Sequence, residues 1–480
     1  MPAAPRETFF FYDYETDGIE PQRSRIVQVA GQRTDAKFKP IGPPLELLCR
    51  PPTDRLPSLH ATFVHGIGPR TAAKGVEEAE LADRLMAELE RPGTTAVAYN
   101  GMDFDHELTR FLCWRTLREP YRWSSAPNAR WDPIDTIRAV HALRPSALNI
   151  PLRADGKPSF KLEQLAPAND VLHESAHDAA SDVHATIGLV RKLHDNAPRI
   201  IDWSLRLRHR NHVLAQLDPA APKPALYVAS TTPSELACTT VILPLASLPR
   251  GSPAVLAWDL RFDPTPFLQM PPEELRAAVF TKMADREPGE PRPGLMSLRA
   301  NKNPFVAPIA MFTDEVQERI QLDLPTINKR AAALLSAKGL RGRALHVYDG
   351  EYPAPDDPEE ALYAGFLDDS ERARLQDVRR NPVDAVTRQL PWRDPRLAEM
   401  VFRFAARNHY RTATQEIRQR WRAHCRDRLF AKQQDGNSYV DAWLQEVADE
   451  LGKDNDETRV ELLSELKTHG EALRKWAQVE

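Results

Sequence analysis

Four carboxylates and one histidine in this sequence have the types and spacing to do chemistry. Asp13 and Glu15 stand in FFFYDYET. If that aromatic run is a strand, its period of two points both carboxylates the same way, at the strand's end where Gly18 opens a loop. Two anions side by side repel unless a cation lies between them. Hard oxygen ligands of this kind suit Mg2+ or Mn2+, not zinc. Taken alone, the pair is a weak signal and reads more readily as a surface acidic pair. Asp105 lies in YNGMDFD, where a strand gives way to a helix. Phe104 beside it can anchor that helix in the core and fix the carboxylate's direction, with Asp103 expected as the helix N-cap. In AHDAASD, His177 falls at the mouth of a late helix. Asp182 lies just over one turn further on, on the same side as Thr186. Capping or ordinary surface exposure is the alternative for His177 taken alone.

The elements that must hold these residues follow from periodicity. Residues 8–14, 26–31 and 94–99 read as strands. Residues 76–90 have helical spacing, with Val76, Ala79, Leu81, Leu85 and Leu89 apolar, and 104–117, 134–143 and 179–193 also read as helices. Alternation of this kind predicts an α/β sheet domain over 1–198. After Pro198 come short β-like runs at 225–229, 239–243, 254–260 and 343–348, separated by turns, with helical stretches at 273–284 and 315–322. They predict a small, mostly β domain over 199–352. YPAPDDP, 352–358, reads as a linker, and helical periodicity fills 357–480.

Composition bounds the function. The chain has 480 residues, 42% of them apolar, and a formal net charge of −4. With a mean hydropathy of −0.50, a soluble multidomain protein is expected. Proline, at 42 residues against 20 glycines, points to stiff loops. The four cysteines (Cys49, Cys113, Cys238, Cys425) form no C-x-x-C pair, which argues against a disulfide framework or a Cys-rich zinc module and for a reducing compartment. No apolar run reaches membrane-span length, and the start does not read as a signal peptide, so a cytoplasmic location is expected. The near-zero charge hides a sorted distribution: net −6 over 1–370, +9 over 371–432 and −7 over 433–480. The +9 stretch reads either as a phosphate-contacting face or as a solvated helix surface with pairs such as Glu416–Arg420. No Walker-type phosphate loop is present, which argues against an ATP-driven helicase-nuclease.

In combination the motifs are specific. D-x-E on an early strand, N-x-x-x-F-D after a later strand and H-x-x-x-x-D on a late helix resemble the histidine-bearing branch of the DEDD exonuclease superfamily, with its ribonuclease H-like fold. FYDYETDGIEP, YNGMDFDHELTR, ALRPSALNIP, PSFKLEQLAPAND, SAHDAASDVHATI, LYAGFLDDSERA and FRFAARN look like the bacterial exodeoxyribonuclease I family in particular. The resemblance implies an exonuclease domain, an SH3-like β domain and a C-terminal helical domain that clamp single-stranded DNA. It implies 3′→5′ hydrolysis with release of 5′-mononucleotides, in DNA repair and recombination, by a monomer. Asp13, Glu15, Asp105 and Asp182 would hold two Mg2+, or Mn2+, and His177 would serve as general base. Glu15 and Lys161 would meet the terminal nucleotide, with Lys161 standing where a relative carries Arg, so that a bidentate fork is lost. Arg110, Tyr121 and Arg138 match strand-contact positions. Ser125 falls where a family tryptophan can stack, and Trp123 is expected to compensate. Arg144 and Trp203 match positions expected to meet the C-terminal tail of single-stranded DNA-binding protein. A 3′→5′ exoribonuclease and a catalytically silent DNA-binding scaffold are the alternatives.

Overall fold

The computed structural model describes residues 7–173, 178–249, 252–350, 353–433 and 436–478. The chain divides into two compact units. One gathers 1–128, 174–184 and 353–480; the other gathers 129–173 and 185–352.

The first unit is built on a strand that is aromatic for most of its length. β1 (Thr8–Thr16) pairs antiparallel with β2 (Ile26–Thr34) and parallel with β4 (Thr94–Val97). β3 (Leu45–Leu48) extends β2 on its other side. Large aromatics suit a pleated surface buried on both faces. On one face Phe10, Tyr12 and Tyr14 join a core with Leu81, Leu85, Leu108, Leu112 and Trp123. On the other, Phe9 and Phe11 pack on Phe38. The helix Glu78–Leu89 turns Leu81, Leu85 and Leu89 inward, as its spacing predicts. The helix Asp105–Arg115 is buried along almost its whole length. One side of it packs under β1, and Phe111 and Trp114 meet Leu397, Met400, Val401 and Phe404 of the C-terminal segment. That segment is helical: Pro395–Asn408, Gln415–Leu429, Tyr439–Leu451 and Glu457–Gln478 follow one another. Asp394, Thr414 and Ser438 each accept a backbone N–H at the start of the first three, as N-cap side chains do.

In the second unit, β5 (Ala129–Trp131) is followed by the helix Ile134–Leu143. Further on lies a five-stranded antiparallel sheet of β6 (Ala225–Val228), β7 (Thr239–Ser247), β8 (Ala254–Asp259), β9 (Leu295–Arg299) and β10 (Phe305–Pro308). Its order is β10-β6-β7-β8-β9. The helix Ala179–Asn196 begins in the first unit and ends in the second.

Three expectations are corrected. Residues 343–348 are not a strand but lie almost wholly within the helix Leu340–Val347, which buries Leu340, Ala344 and Val347 along one stripe. The stretch 352–358 is not free at its end: 353–356 are exposed, but Asp357 holds Arg403 and Arg428, and the adjoining Glu359 is buried among arginines. Arg420 pairs with Glu399 at 2.7 Å rather than with Glu416. In the +9 stretch, Arg407 is likewise committed to the buried carboxylate of Glu359, and Arg403 to the half-buried Asp357.

Candidate active site

Strand alternation does for β1 what the sequence predicts. Tyr12 and Tyr14 face the 105–115 helix. The Tyr12 hydroxyl shares a 2.7 Å hydrogen bond with His106 Nδ1, and the Tyr14 hydroxyl one of 2.8 Å with Thr109 Oγ1. Thr109 in turn donates to the Asp105 carbonyl at 2.7 Å. These bonds lock the strand carrying Asp13 and Glu15 to the helix that opens with Asp105. Phe104, not Asp103, takes the N-cap position of that helix, and the Phe104 side chain makes no capping hydrogen bond. Asn100, with φ 54°, makes the left-handed turn before it. Gly101 then passes so close that a β-carbon there would lie 2.7 Å from the Asp105 Oδ2 atom.

Asp13, Glu15 and Asp182 converge. Each offers a carboxylate oxygen, and the three lie within 4.8 Å of one another. Glu15 and Asp105 are buried. Burial pushes the Glu15 carboxyl up to about 8, and Asp182, Asp105 and Asp178 push it the same way. Asp13 is held well above the usual carboxylate range by burial, then by Asp105, Asp182, Glu15 and Asp178. The charges that act most strongly on these two carboxyls are other acids. An all-oxygen cluster with mutual repulsion and little water is the donor set that hard divalent cations fit. His177 lies outside the described residues. Asp178 was not singled out in the sequence, though it lies next to His177. Its carboxylate accepts the Ser181 N–H at 3.3 Å, and its charge reaches both Asp13 and Glu15.

The flanking residues fall into two groups. In the first unit Arg110 is buried, donates to Glu107 at 2.9 Å and to the Tyr363 hydroxyl at 3.2 Å, and lies over the Tyr121 ring at 5.3 Å. Ser125 is exposed and caps the Tyr121 carbonyl. Trp123 cannot supply the missing stacking surface, because it is fully buried in the core. Phe366 is the aromatic that sequence reading missed. It is 83% exposed, and its ring centroid lies 5.8 Å from that of Tyr121. No sequence signal separates it from a core phenylalanine. In the second unit Arg138 pairs with Asp135 at 2.7 Å and lies over Phe160. Lys161 is exposed, 3.4 Å from Glu163. Arg144 is exposed at the end of the 134–143 helix. Trp203 is half-buried and donates to the Val306 carbonyl.

A mixed sheet with converging carboxylates, followed by an antiparallel β-sheet region and then helices, defines a multidomain nuclease. The comparisons with known proteins agree at every level. The family described as "Exonuclease" matches 10–190, "Exonuclease I SH3-like domain" matches 208–350 and "Exonuclease I C-terminal domain" matches 356–473. Exodeoxyribonuclease I of Escherichia coli is 33% identical over 451 residues, 93% of each chain. Its crystal structure with a dA16 oligonucleotide covers 98% of this chain and 100% of its own at TM-score 0.92 and 30% identity. Exonuclease I from Methylocaldum szegediense is 35% identical at TM-score 0.91, over 97% of this chain and 99% of its own. A solved ExoI/SSB-Ct complex matches at TM-score 0.90 and 30% identity, over 98% and 100%. The chain belongs to the exodeoxyribonuclease I family. Its exonuclease domain implies divalent metal ions at the acidic cluster. No helix among the described residues is long and apolar enough to cross a membrane.

Proposed function

We propose that this enzyme removes nucleotides one at a time from the 3′ end of single-stranded DNA, releasing 5′-mononucleotides, in DNA repair and recombination. The observation that carries this reading is the convergence of Asp13, Glu15 and Asp182 within 4.8 Å, in a chain of this family. Asp13, Glu15, Asp105 and Asp182 would hold two Mg2+ ions. When bound, the ions stabilise negative charge on the attacking and leaving oxygens of an in-line displacement. The carboxylates offset the metal charge. The Tyr12 and Tyr14 hydroxyl bonds keep β1 and the 105–115 helix in register, which fixes Asp13 and Glu15 relative to Asp105. His177 takes the proton of the attacking water; its ordinary pKa near 6.5 suits that role.

Strand holding uses charge and stacking rather than a base code. Glu15 and Lys161 meet the terminal nucleotide, with Arg110, Tyr121 and Arg138 beside the strand. Phe366 next to Tyr121 restores a stacking surface that Ser125 does not provide; such a surface contributes about 1–3 kcal/mol per base. Arg144 and Trp203 receive the carboxylate tail of single-stranded DNA-binding protein, an exposed guanidinium being suited to a carboxylate and an aromatic to its apolar neighbours. The solved ExoI/SSB-Ct complex supports this partner. Functional domains of 1–198, 199–352 and 357–480, a monomeric state and a cytoplasmic location complete the reading. The test is a side-by-side digestion of single-stranded DNA, duplex DNA and single-stranded RNA of one sequence with Mg2+. Rapid loss of single-stranded DNA alone is expected; equal or faster loss of RNA would replace this reading with an exoribonuclease.

A further inference from the structure

We infer that Glu359 and Arg407, in the C-terminal segment, are positioning residues that hold Glu15 in its metal-binding direction; this rests on the metal-binding reading above. The β1–β2 ladder is regular from Phe9↔Thr34 to Glu15↔Gln28, and then slips, so that Thr16 faces Ile26. Glu15 is the last residue before that irregularity. Bulges re-aim the side chains beside them and depend on whatever fixes the extra residue. Here the fixing comes from the turn 17–25. The Asp17 N–H donates to the Arg25 carbonyl at 3.0 Å, and the Arg25 N–H donates to Asp17 Oδ1 at 2.8 Å. Arg55 closes the same carboxylate at 2.9 Å.

Arg25 is therefore the pivot of the turn, and the C-terminal segment holds it. Its buried guanidinium donates to Glu359 Oε2 at 2.8 Å. The other oxygen of Glu359 accepts from Arg407 at 2.8 Å, and Arg407 also donates to Asp54 at 2.9 Å. Glu78 completes the set, 2.9 Å from Arg115 and 3.7 Å from Arg25. Arg25, Arg115 and Arg407 against Glu78, Glu359 and Asp54 make three positive and three negative charges, all buried. Desolvation makes such a cluster a poor adhesive compared with apolar packing. Its best-attested use is to impose one register. The register imposed here is that of the bulge beside Glu15, whose extra residue, Val27, lies on β2 two positions after Arg25. Neutralising Glu359 leaves Arg25 short of its strongest counter-charge, and the turn then loses the anchor that sets the bulge.

The test reads metal binding directly, on the full chain, by electron paramagnetic resonance titration with Mn2+. Glu359→Gln is expected to raise the Mn2+ midpoint about tenfold, the scale seen when groups behind a metal ligand are lost. Its KM for single-stranded DNA should stay within about twofold, and high Mn2+ should restore turnover. Arg428→Gln, which removes only the 2.9 Å pair with Asp357 at the half-exposed edge of the network, should leave the midpoint unchanged. A folded Glu359→Gln protein with the wild-type midpoint overturns the inference. If Glu359→Gln does not fold, Arg25→Lys keeps the charge and loses the fork; the same rise is expected there, and a wild-type midpoint overturns the inference. Failure of the wild-type chain to bind Mn2+, or undiminished binding by Asp13→Asn, strikes the metal-binding reading instead.

Discussion

Removing a catalytic carboxylate should stabilise the metal-free protein. Asp13, Glu15 and Asp182 present oxygens within 4.8 Å of one another. Two full charges at that distance repel by about 3.5 kcal/mol at an effective dielectric near 20. Glu15, pushed up to about 8 by burial and then by Asp182, escapes part of that repulsion at neutral pH by keeping its proton. Its native form binds a proton that the unfolded chain releases, so between about pH 4.5 and 8 the native state holds more protons and stability falls as pH rises. The full repulsion is therefore felt near pH 9. Asp182→Asn keeps the shape and removes one charge. Allowing for imperfect relief, it should add about 2 kcal/mol at pH 9 in EDTA, a rise in melting temperature of about 2 °C for a chain of 480 residues. Saturating Mg2+ should reverse the order, because cation binding stabilises the wild-type fold and does so less in the variant. The assay is thermal unfolding followed by circular dichroism, with EDTA and with Mg2+, at pH 6 and pH 9. An Asp182→Asn protein that melts no higher than wild type at pH 9 in EDTA, with an equal gain from Mg2+, would refute the reasoning.

Other outcomes follow from the same geometry. His177→Ala should lower turnover about 100-fold or more while changing the affinity for single-stranded DNA by less than about threefold, read from single-turnover rates and from filter binding in Ca2+. Gly101→Ala, whose new methyl would meet the Asp105 carboxylate, should cut activity at limiting Mg2+ by at least about tenfold, with turnover partly restored at high Mg2+. Glu359, Asp54 and Glu78 are all held below the usual carboxylate range once burial is outweighed by their arginines. Their stabilisation is thus complete above about pH 4.5 and is lost as pH falls below 4, so acid unfolding monitored by tryptophan fluorescence should begin there. In Glu359→Gln that contribution should be missing already at neutral pH.

The catalytic strand was legible because one local rule decides it. Period two places Asp13 and Glu15 together whatever the rest of the chain does, and the helix at 134–143 shows the same directness. The convergence of Asp182 needed family likeness, since it lies 167 positions from Glu15 and no spacing rule spans that gap. Residues 343–348 misled because so short a run, ending in Val347 and Tyr348, does not separate a strand from a buried helix; the deciding stripe, Leu340, Ala344 and Val347, starts earlier. YPAPDDP looked like a linker on proline content, while its neighbour Glu359 is fixed by Arg25, 334 positions away. Burial likewise separates Trp123 from Phe366: both are large aromatics in sequence, but one is core and the other stands in solvent.

The most direct measurement follows single-stranded DNA labelled at the 3′ end in one reaction and at the 5′ end in another, with Mg2+. The 3′ label should leave first as a mononucleotide, while the 5′ label passes through progressively shorter strands. Both should stop in EDTA and in Asp13→Ala. A 5′ label released first as a mononucleotide, or release that persists in EDTA, would contradict a metal-dependent 3′→5′ exonuclease acting at Asp13, Glu15, Asp105 and Asp182.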